Sequence, residues 1–316
     1  MATVKRGRTR YRAPMALLDT TTATYVRPVG VIRVTGQDRL TYLHSLLSQH
    51  LEGARAGTVT DFLYLDAKGT ALAEGRGVVR AGDVLLVTPE DVTPGLTDAL
   101  GRYTFLLDAT AEDVSTRWRL VSVRGPDTTD LPGARSEPMT AAPHGDGILI
   151  RDRSGGVDYL GPQEWVAARL DDLALPAAEA TDWDRWRIRA GQPAWGREIV
   201  AGRRSQELGL LPTHVHLRKG CYPGQESIAK TWNLGRPRRA LWLAEFDGAV
   251  SAGGDVQVGP RSGLITSAAP AGRGTVALAL LPLDREGGLP TTDLDADGIR
   301  GRAVRRVDEG LTPPGA

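Results

Sequence analysis

Hydrophobic positions along the chain follow two rhythms. Val29, Val31, Ile32 and Val34 form a β-branched run that ends at Gly36; Leu40, Leu43, Leu46, Leu47 and Leu51 then recur with helical spacing. The first pattern suits a strand and the second an amphipathic helix, so this stretch predicts strand, turn, helix. From Gly57 to Val79 apolar residues flank Asp66-Ala67-Lys68-Gly69, which predicts a hairpin turning at those four. "DVLLVTPEDV" adds a strand from Asp83 to Val87, with a helix across Val92 to Gly101, and "WRLVSVRGP" a strand ended by Gly125-Pro126. A polar, Pro/Gly-rich run from Pro126 to Gly147 reads as a connection. Beyond it "GILIRDRSGGVDYLGP" predicts a second hairpin. "PQEWVAARLDDL" and "TDWDRWRIRAGQPAWG" predict two helices, the second capped by Thr181 or Asp182 and over by Gly191. "PTHVHLRKG" reads as strand. From Arg239 the apolar runs become short and are divided by Gly, Pro and Asp, the signature of a small β-barrel or sandwich.

Composition narrows the class. The chain has 316 residues, 41% hydrophobic and 24% charged, ordinary for a soluble protein long enough for two or three subdomains. A net charge of +1 excludes nucleic-acid binding by bulk charge. No run approaches the roughly 20 apolar residues of a membrane span. The basic start, "MATVKRGRTRYRAP", lacks the apolar core of a secretory signal and reads as a solvated, flexible arm. The single cysteine, Cys221, cannot make an internal disulfide, which fits a reducing, cytoplasmic setting.

That cysteine lies in "KGCYPGQE", residues 219–226, among turn residues. Between Arg218 and Arg239 stand six cations (Arg218, Lys219, Lys230, Arg236, Arg238, Arg239) against one acid, Glu226. Cations stabilise the thiolate, the reactive form of cysteine, and lysine and arginine can hold carboxylates or phosphates. "SIAKTW" begins a helix or strand whose amides can face an anion. The alternative is a buried structural cysteine. His214 and His216 could join Cys221 around a metal, but no further ligand is in view and no metal is expected.

The string Lys219-Gly220-Cys221-Tyr222-Pro223-Gly224-Gln225-Glu226 resembles the K-G-C-Y-x-G-Q-E signature of the YgfZ family, folate-binding relatives of the glycine-cleavage T-protein implicated in maintaining iron–sulfur enzymes. "NLGRPRRALWL", "RIRAGQPAWGREI" (Arg187 to Ile199) and "GQDRLTYLHSLLSQHL" resemble further segments, so the similarity covers roughly Tyr25 to Leu283. The resemblance implies an α+β fold of three subdomains in a ring around a central channel, with a C-terminal β-barrel. The expected division is an arm over 1–20, a discontinuous folate-binding unit over 21–50 and 119–238, a second α+β unit over 51–118, and the barrel over 239–316.

It also implies a site. Cys221 should border the channel as a redox or transfer thiol. Tyr222 and Trp232 become candidates for stacking on a pterin; Lys219, Lys230 and Arg236 for clamping a glutamate tail; Gln225 and Glu226 for further contacts. Two departures stand against T-protein chemistry. Ala73 and Glu74 occupy the positions of its acidic pair, so the acid expected to orient folate looks absent. Arg189 stands where T-proteins carry a pterin-binding glutamate, and a guanidinium has only donors. Asp66, Glu207 and Glu226 remain as acids for the pterin, Glu207 preferred. The resulting expectation is a cytoplasmic, monomeric accessory protein that binds tetrahydrofolate or a derivative. It would support iron–sulfur enzymes through transient contacts, influence tRNA modification indirectly and bind no nucleic acid directly. The alternative is a tetrahydrofolate-dependent one-carbon transferase or demethylase.

Overall fold

A computed structural model describes residues 17–102, 104, 107–234 and 237–316. One helical turn, α1 (Leu17–Thr20), leads into β1 (Ala23–Arg27), β2 (Val29–Thr35) and α2 (Arg39–Leu46). The hairpin β3 (Val59–Leu65) and β4 (Ala71–Val79) precedes β5 (Asp83–Pro89), α3 (Thr93–Gly101), β6 (Thr110–Asp113) and β7 (Trp118–Arg124). Next come β8 (Thr140–His144), β9 (Gly147–Arg151), β10 (Val157–Pro162), α4 (Gln163–Leu173), α5 (Ala180–Ala190), α6 (Leu211–His214) and α7 (Gln225–Leu234). The last strands are β11 (Arg239–Phe246), β12 (Asp255–Val258), β13 (Arg261–Ala271), β14 (Gly274–Pro282), β15 (Asp293–Ala296) and β16 (Ile299–Arg306).

Three sheets result. One runs β1-β7-β10-β9-β8 and a second β3-β4-β5-β2-β6; β11 to β16 close into a barrel in the order β11-β14-β13-β12-β15-β16. The continuous apolar run of β2 follows from its position. Val31 packs toward β7, β9 and β10 through Leu120, Ile148 and Leu160, while Ile32 and Val34 pack under α2 and α3 with Leu43 and Leu96. A strand covered on both faces has no polar alternation to show. The barrel interior is filled by residues such as Val256, Ile265 and Leu281, and Ile188 of α5 packs on a neighbouring barrel cluster with Leu243 and Leu278.

Five expectations need correction. The first sheet boundary runs at Pro28, not near residue 50: β1 joins β7, while β2 pairs with β5 and β6. Residues 1–16 lie outside the described residues, but the end of the expected arm is packed. Leu18 is buried, and the Leu17 amide donates to Asp182 Oδ1 at 3.1 Å. Helix α5 is capped two or three residues earlier than Thr181 or Asp182. Glu179 is the N-cap, and its amide donates to Asp182 Oδ2 at 3.2 Å in a capping box. "PTHVHLRKG" opens as a helical turn, because Pro212 suits the first turn of α6. Strand β8 also lies inside the run read as connection.

Candidate functional site

The cysteine motif joins α6 to α7 and is fixed from below. Lys219 is buried, its Nζ donating to the carbonyl of His44. His44 Nε2 in turn bonds the Lys219 carbonyl at 2.7 Å, so α2 and the motif hold each other by a reciprocal pair. Among the described residues no carboxylate pairs with this ammonium, which stands 4.7 Å from the centre of the Tyr222 ring. Burial depresses Lys219 to about 8, opposed by the nearby Cys221. Tyr222 itself is buried with Leu63, Leu211 and Ile228, and burial pushes its hydroxyl up to about 12. The Gln225 side chain accepts the Tyr222 amide at 3.1 Å and closes the turn. Gly224, at φ +81°, lies against the β3–β4 turn, where a Cβ would come 2.5 Å from the Asp66 carbonyl oxygen. On this base Cys221 is exposed and free. Glu226, Lys230 and Trp232 are exposed on α7.

His44 is held below its usual range by burial and then by the Lys219 charge. Its ring meets His50 edge-on at 4.8 Å, and His50 lies 5.3 Å from His216. His214 turns the other way, toward Glu74. The two histidines considered with Cys221 therefore diverge, and among the described residues no three metal-ligating side chains gather.

A cavity of about 770 Å³ opens where the two sheets, α5, α6 and the segment after β16 meet. Its floor is a charge network across the sheets. Arg76 of β4 bonds Asp61 of β3 at 2.7 Å and Asp152 at 2.7 Å, and approaches Asp158 of β10 at 3.4 Å. Arg124 of β7 holds Asp158 at 2.8 Å and lies 3.5 Å from Asp152. Burial pushes Asp61 and Asp152 up, but the guanidinium groups of Arg76 and, for Asp152, Arg124 outweigh it. Both carboxyls sit below the ordinary range. One wall is aromatic: Trp183 of α5 stacks on Tyr25 of β1 at 5.0 Å and 15°. Arg27, also on β1, lies over Trp183 at 5.1 Å and makes no ion pair among the described residues, and burial lowers it. Opposite, Glu74 and His214 face each other at 3.6 Å. Arg187 ties α5 to the barrel through buried Glu198 (3.1 Å) and Ser267 (2.9 Å).

The described residues that line this cavity include none of the motif. Cys221 does not border it, and Lys219, Tyr222, Gln225, Glu226, Lys230 and Trp232 lie off it as well. Arg236 falls outside the described residues. Arg189 is a further correction. On α5 the cavity face carries Trp183, Asp184, Arg187, Ala190 and Gly191, and position 189 falls off that stripe. Arg189 approaches Asp19 at 3.6 Å instead. Glu207 and Asp66 do not reach the cavity either; Asp66 Oδ1 accepts the amides of Lys68 and Thr70 in its own turn. Nor is the hairpin without an acid. Ala73 is buried in the core under α2, and Glu74, next along β4, faces the cavity. The signal for these residues was present in β4, where Leu72, Glu74 and Arg76 share one strand face, and in α5, where Trp183 and Arg187 are one turn apart.

The fold and the cavity define an α+β protein of the T-protein architecture. It superposes on the crystal structure of glycine cleavage system aminomethyltransferase T from Bartonella henselae with a TM-score of 0.76 at 16% identity, over 94% of this chain and 88% of that one. No family model matches the chain. In sequence it is 22% identical over 224 residues, 67% of this chain, to tRNA-modifying protein YgfZ of Colwellia psychrerythraea. It is 27% identical over 242 residues, also 67% of the chain, to an iron-sulfur cluster assembly factor IBA57 homolog, mitochondrial, of Cryptococcus neoformans. The chain is thus similar in sequence to YgfZ and IBA57 proteins and shares the fold of the glycine cleavage T-protein. The chain spans 59% of the length of the first curated relative it matches, and 68% and 63% of the bacterial and fungal ones.

Proposed function

We propose that this protein binds a reduced folate in the central cavity and acts as an accessory factor in the assembly or repair of iron–sulfur enzymes, with Cys221 as its reactive thiol. The observation that carries the ligand is the wall of stacked Tyr25 and Trp183 beside Arg27, a cation that makes no ion pair among the described residues. A flat heteroaromatic ring stacks on such a wall, and a carboxylate satisfies such a guanidinium. The volume of about 770 Å³ lies within the usual range for ligands of that size. When bound, a reduced folate supplies a carrier for one-carbon units. The protein's part is to stack, orient and shield it. The names of the bacterial and fungal relatives, a tRNA-modifying protein and an iron-sulfur cluster assembly factor, support the iron–sulfur side, and an effect on tRNA modification then follows through an iron–sulfur tRNA-modifying enzyme. The exposed thiol above buried Lys219 suits contact with a protein partner carrying a cluster as cargo.

Anaerobic calorimetry with tetrahydrofolate tests the ligand. Micromolar binding is expected for wild type and for Cys221→Ala, with loss in Trp183→Ala. Full binding by Trp183→Ala would place the ligand elsewhere. For the thiol, Cys221→Ser should fail to restore iron–sulfur enzyme activity in a deletion strain; full restoration would refute its role. Glu74 in the cavity favours the one-carbon transferase as a second reading, which requires turnover of a methylene or methyl donor.

A further inference from the structure

The pair Glu74–His214 has a geometry that a packing role does not explain. Helical turn α6 is fastened from the segment after α2. The Ser48 hydroxyl donates to the His214 carbonyl at 2.6 Å and the Gln49 amide to the Thr213 carbonyl at 3.1 Å. The imidazole is thus presented by an anchored backbone. The Thr213 hydroxyl lies 3.3 Å from the Leu210 carbonyl, to which it can donate, and 2.7 Å from His214 Nδ1; a hydroxyl spent on Leu210 has only lone pairs left for the ring. With the hydroxyl hydrogen on Leu210, Nδ1 carries a hydrogen, and Nε2 faces Glu74 Oε2. A neutral ring of that tautomer would oppose a lone pair to a carboxylate. A proton between the two, as imidazolium and carboxylate, removes that opposition.

At 3.6 Å the two groups are neighbours but too far apart for a hydrogen bond. Each keeps a bonding position open toward the cavity that both line. Among the described lining residues His214 is the only histidine, the side-chain type that changes charge near neutral pH. Glu74 on β4 faces it, and Asp61 on β3 lies within electrostatic reach, itself paired by Arg76 of β4 at 2.7 Å and approached by Arg153 after β9 at 3.6 Å.

We propose that Glu74 and His214 form a proton-sharing pair that reads a ring edge carrying a donor beside an acceptor, and that this pair takes up a proton as the ligand binds. Glu74 accepts from the ligand's N–H while His214 Nε2–H donates to its neighbouring carbonyl or imine nitrogen. Binding replaces water around the pair, strengthens the attraction between imidazolium and carboxylate, and so favours the protonated imidazole. The cyclic amide and amidine edge of a pterin has this character. The proposal deepens the reading of the cavity as a folate site and rests on it.

The test is calorimetry of tetrahydrofolate binding under anaerobic conditions in buffers of different ionisation enthalpy, from about pH 6 to about pH 8, across the ordinary histidine range. Wild type, His214→Gln and Glu74→Gln are compared, with melting curves to establish that each variant is folded. Wild type should take up a measurable fraction of a proton, with affinity rising as pH falls. In either variant uptake should vanish, the pH dependence flatten and affinity drop about 10-fold, the loss expected for one good hydrogen bond to a charged group. Unchanged proton uptake in folded His214→Gln would overturn the pair, as would wild-type binding with no proton exchange. Should one variant not fold, the other decides by the same criterion. Absence of any folate binding by wild type is a different result: it removes the folate reading, and this proposal with it.

Discussion

Arg76 is the side chain on which the cavity floor depends most, and Arg76→Met isolates its contribution. The guanidinium meets Asp61, Asp152 and Asp158 at 2.7, 2.7 and 3.4 Å, and all three acids are largely buried. Methionine fills much of the same volume but removes the charge. Arg124 and Arg153 remain, yet Arg153 only approaches Asp61 at 3.6 Å and is itself half exposed. Breaking a buried pair on one side costs about 3–5 kcal/mol, against a total stability of about 5–15 kcal/mol for a typical domain. At about 2–4 °C per kcal/mol, Arg76→Met should melt roughly 6–20 °C below wild type at neutral pH. The pH dependence separates charge from packing. In the wild type Asp61 and Asp152 titrate below their unfolded values. Their contribution is therefore complete above about pH 4 and is lost as pH falls through the folded values. Without Arg76, burial raises these carboxyls, and acid relieves the variant by protonating them. The gap between the two melting curves should narrow from about pH 7 to about pH 4.5. A gap of under about 1 kcal/mol, or one independent of pH, would refute the reasoning.

Other expectations follow from the motif and its supports. Lys219 is depressed to about 8, so the unfolded chain holds its proton longer. Wild-type stability should rise between about pH 8 and about pH 10.4 as this burial penalty is relieved, and Lys219→Met should lack that slope in denaturant titrations. Gly224→Ala combines a left-handed φ of +81° with a Cβ 2.5 Å from the Asp66 carbonyl oxygen. It should lower stability by about 1–3 kcal/mol and move the motif off the hairpin, seen as a changed rate of Cys221 alkylation. In the wild type Cys221 is exposed, so one equivalent of maleimide should add to the native protein at a rate independent of mild denaturant.

Much of the architecture was legible in the chain because each sheet states its environment locally. The β-branched run of β2, the hairpin around Asp66 to Gly69 and the divided strands after Arg239 are patterns of neighbouring residues. The sheet that β2 joins was not legible, because pairing across Val31 to Val87 and Val34 to Ala111 is a property of distant segments. The site divided in the same way. The motif announced itself by an eight-residue string, but nothing local says that it stands off the cavity. The cavity is assembled from single residues on separate elements, such as Arg27, Glu74, Asp158 and His214. Each reads as an ordinary surface charge until the fold brings it inward. Arg189 misled for a related reason: a position matched by string fell on the other side of a helix, where its identity has no bearing on the cavity.

The reciprocal bond between His44 and Lys219 seats the cysteine on α2 and the β3–β4 turn, while the cavity is served by the opposite stretch of the same hairpin at Glu74 and Arg76. Under the proposed function, a protein partner at the exposed thiol would touch no side chain that lines the small-molecule chamber. Neither visitor would need to leave before the other arrives.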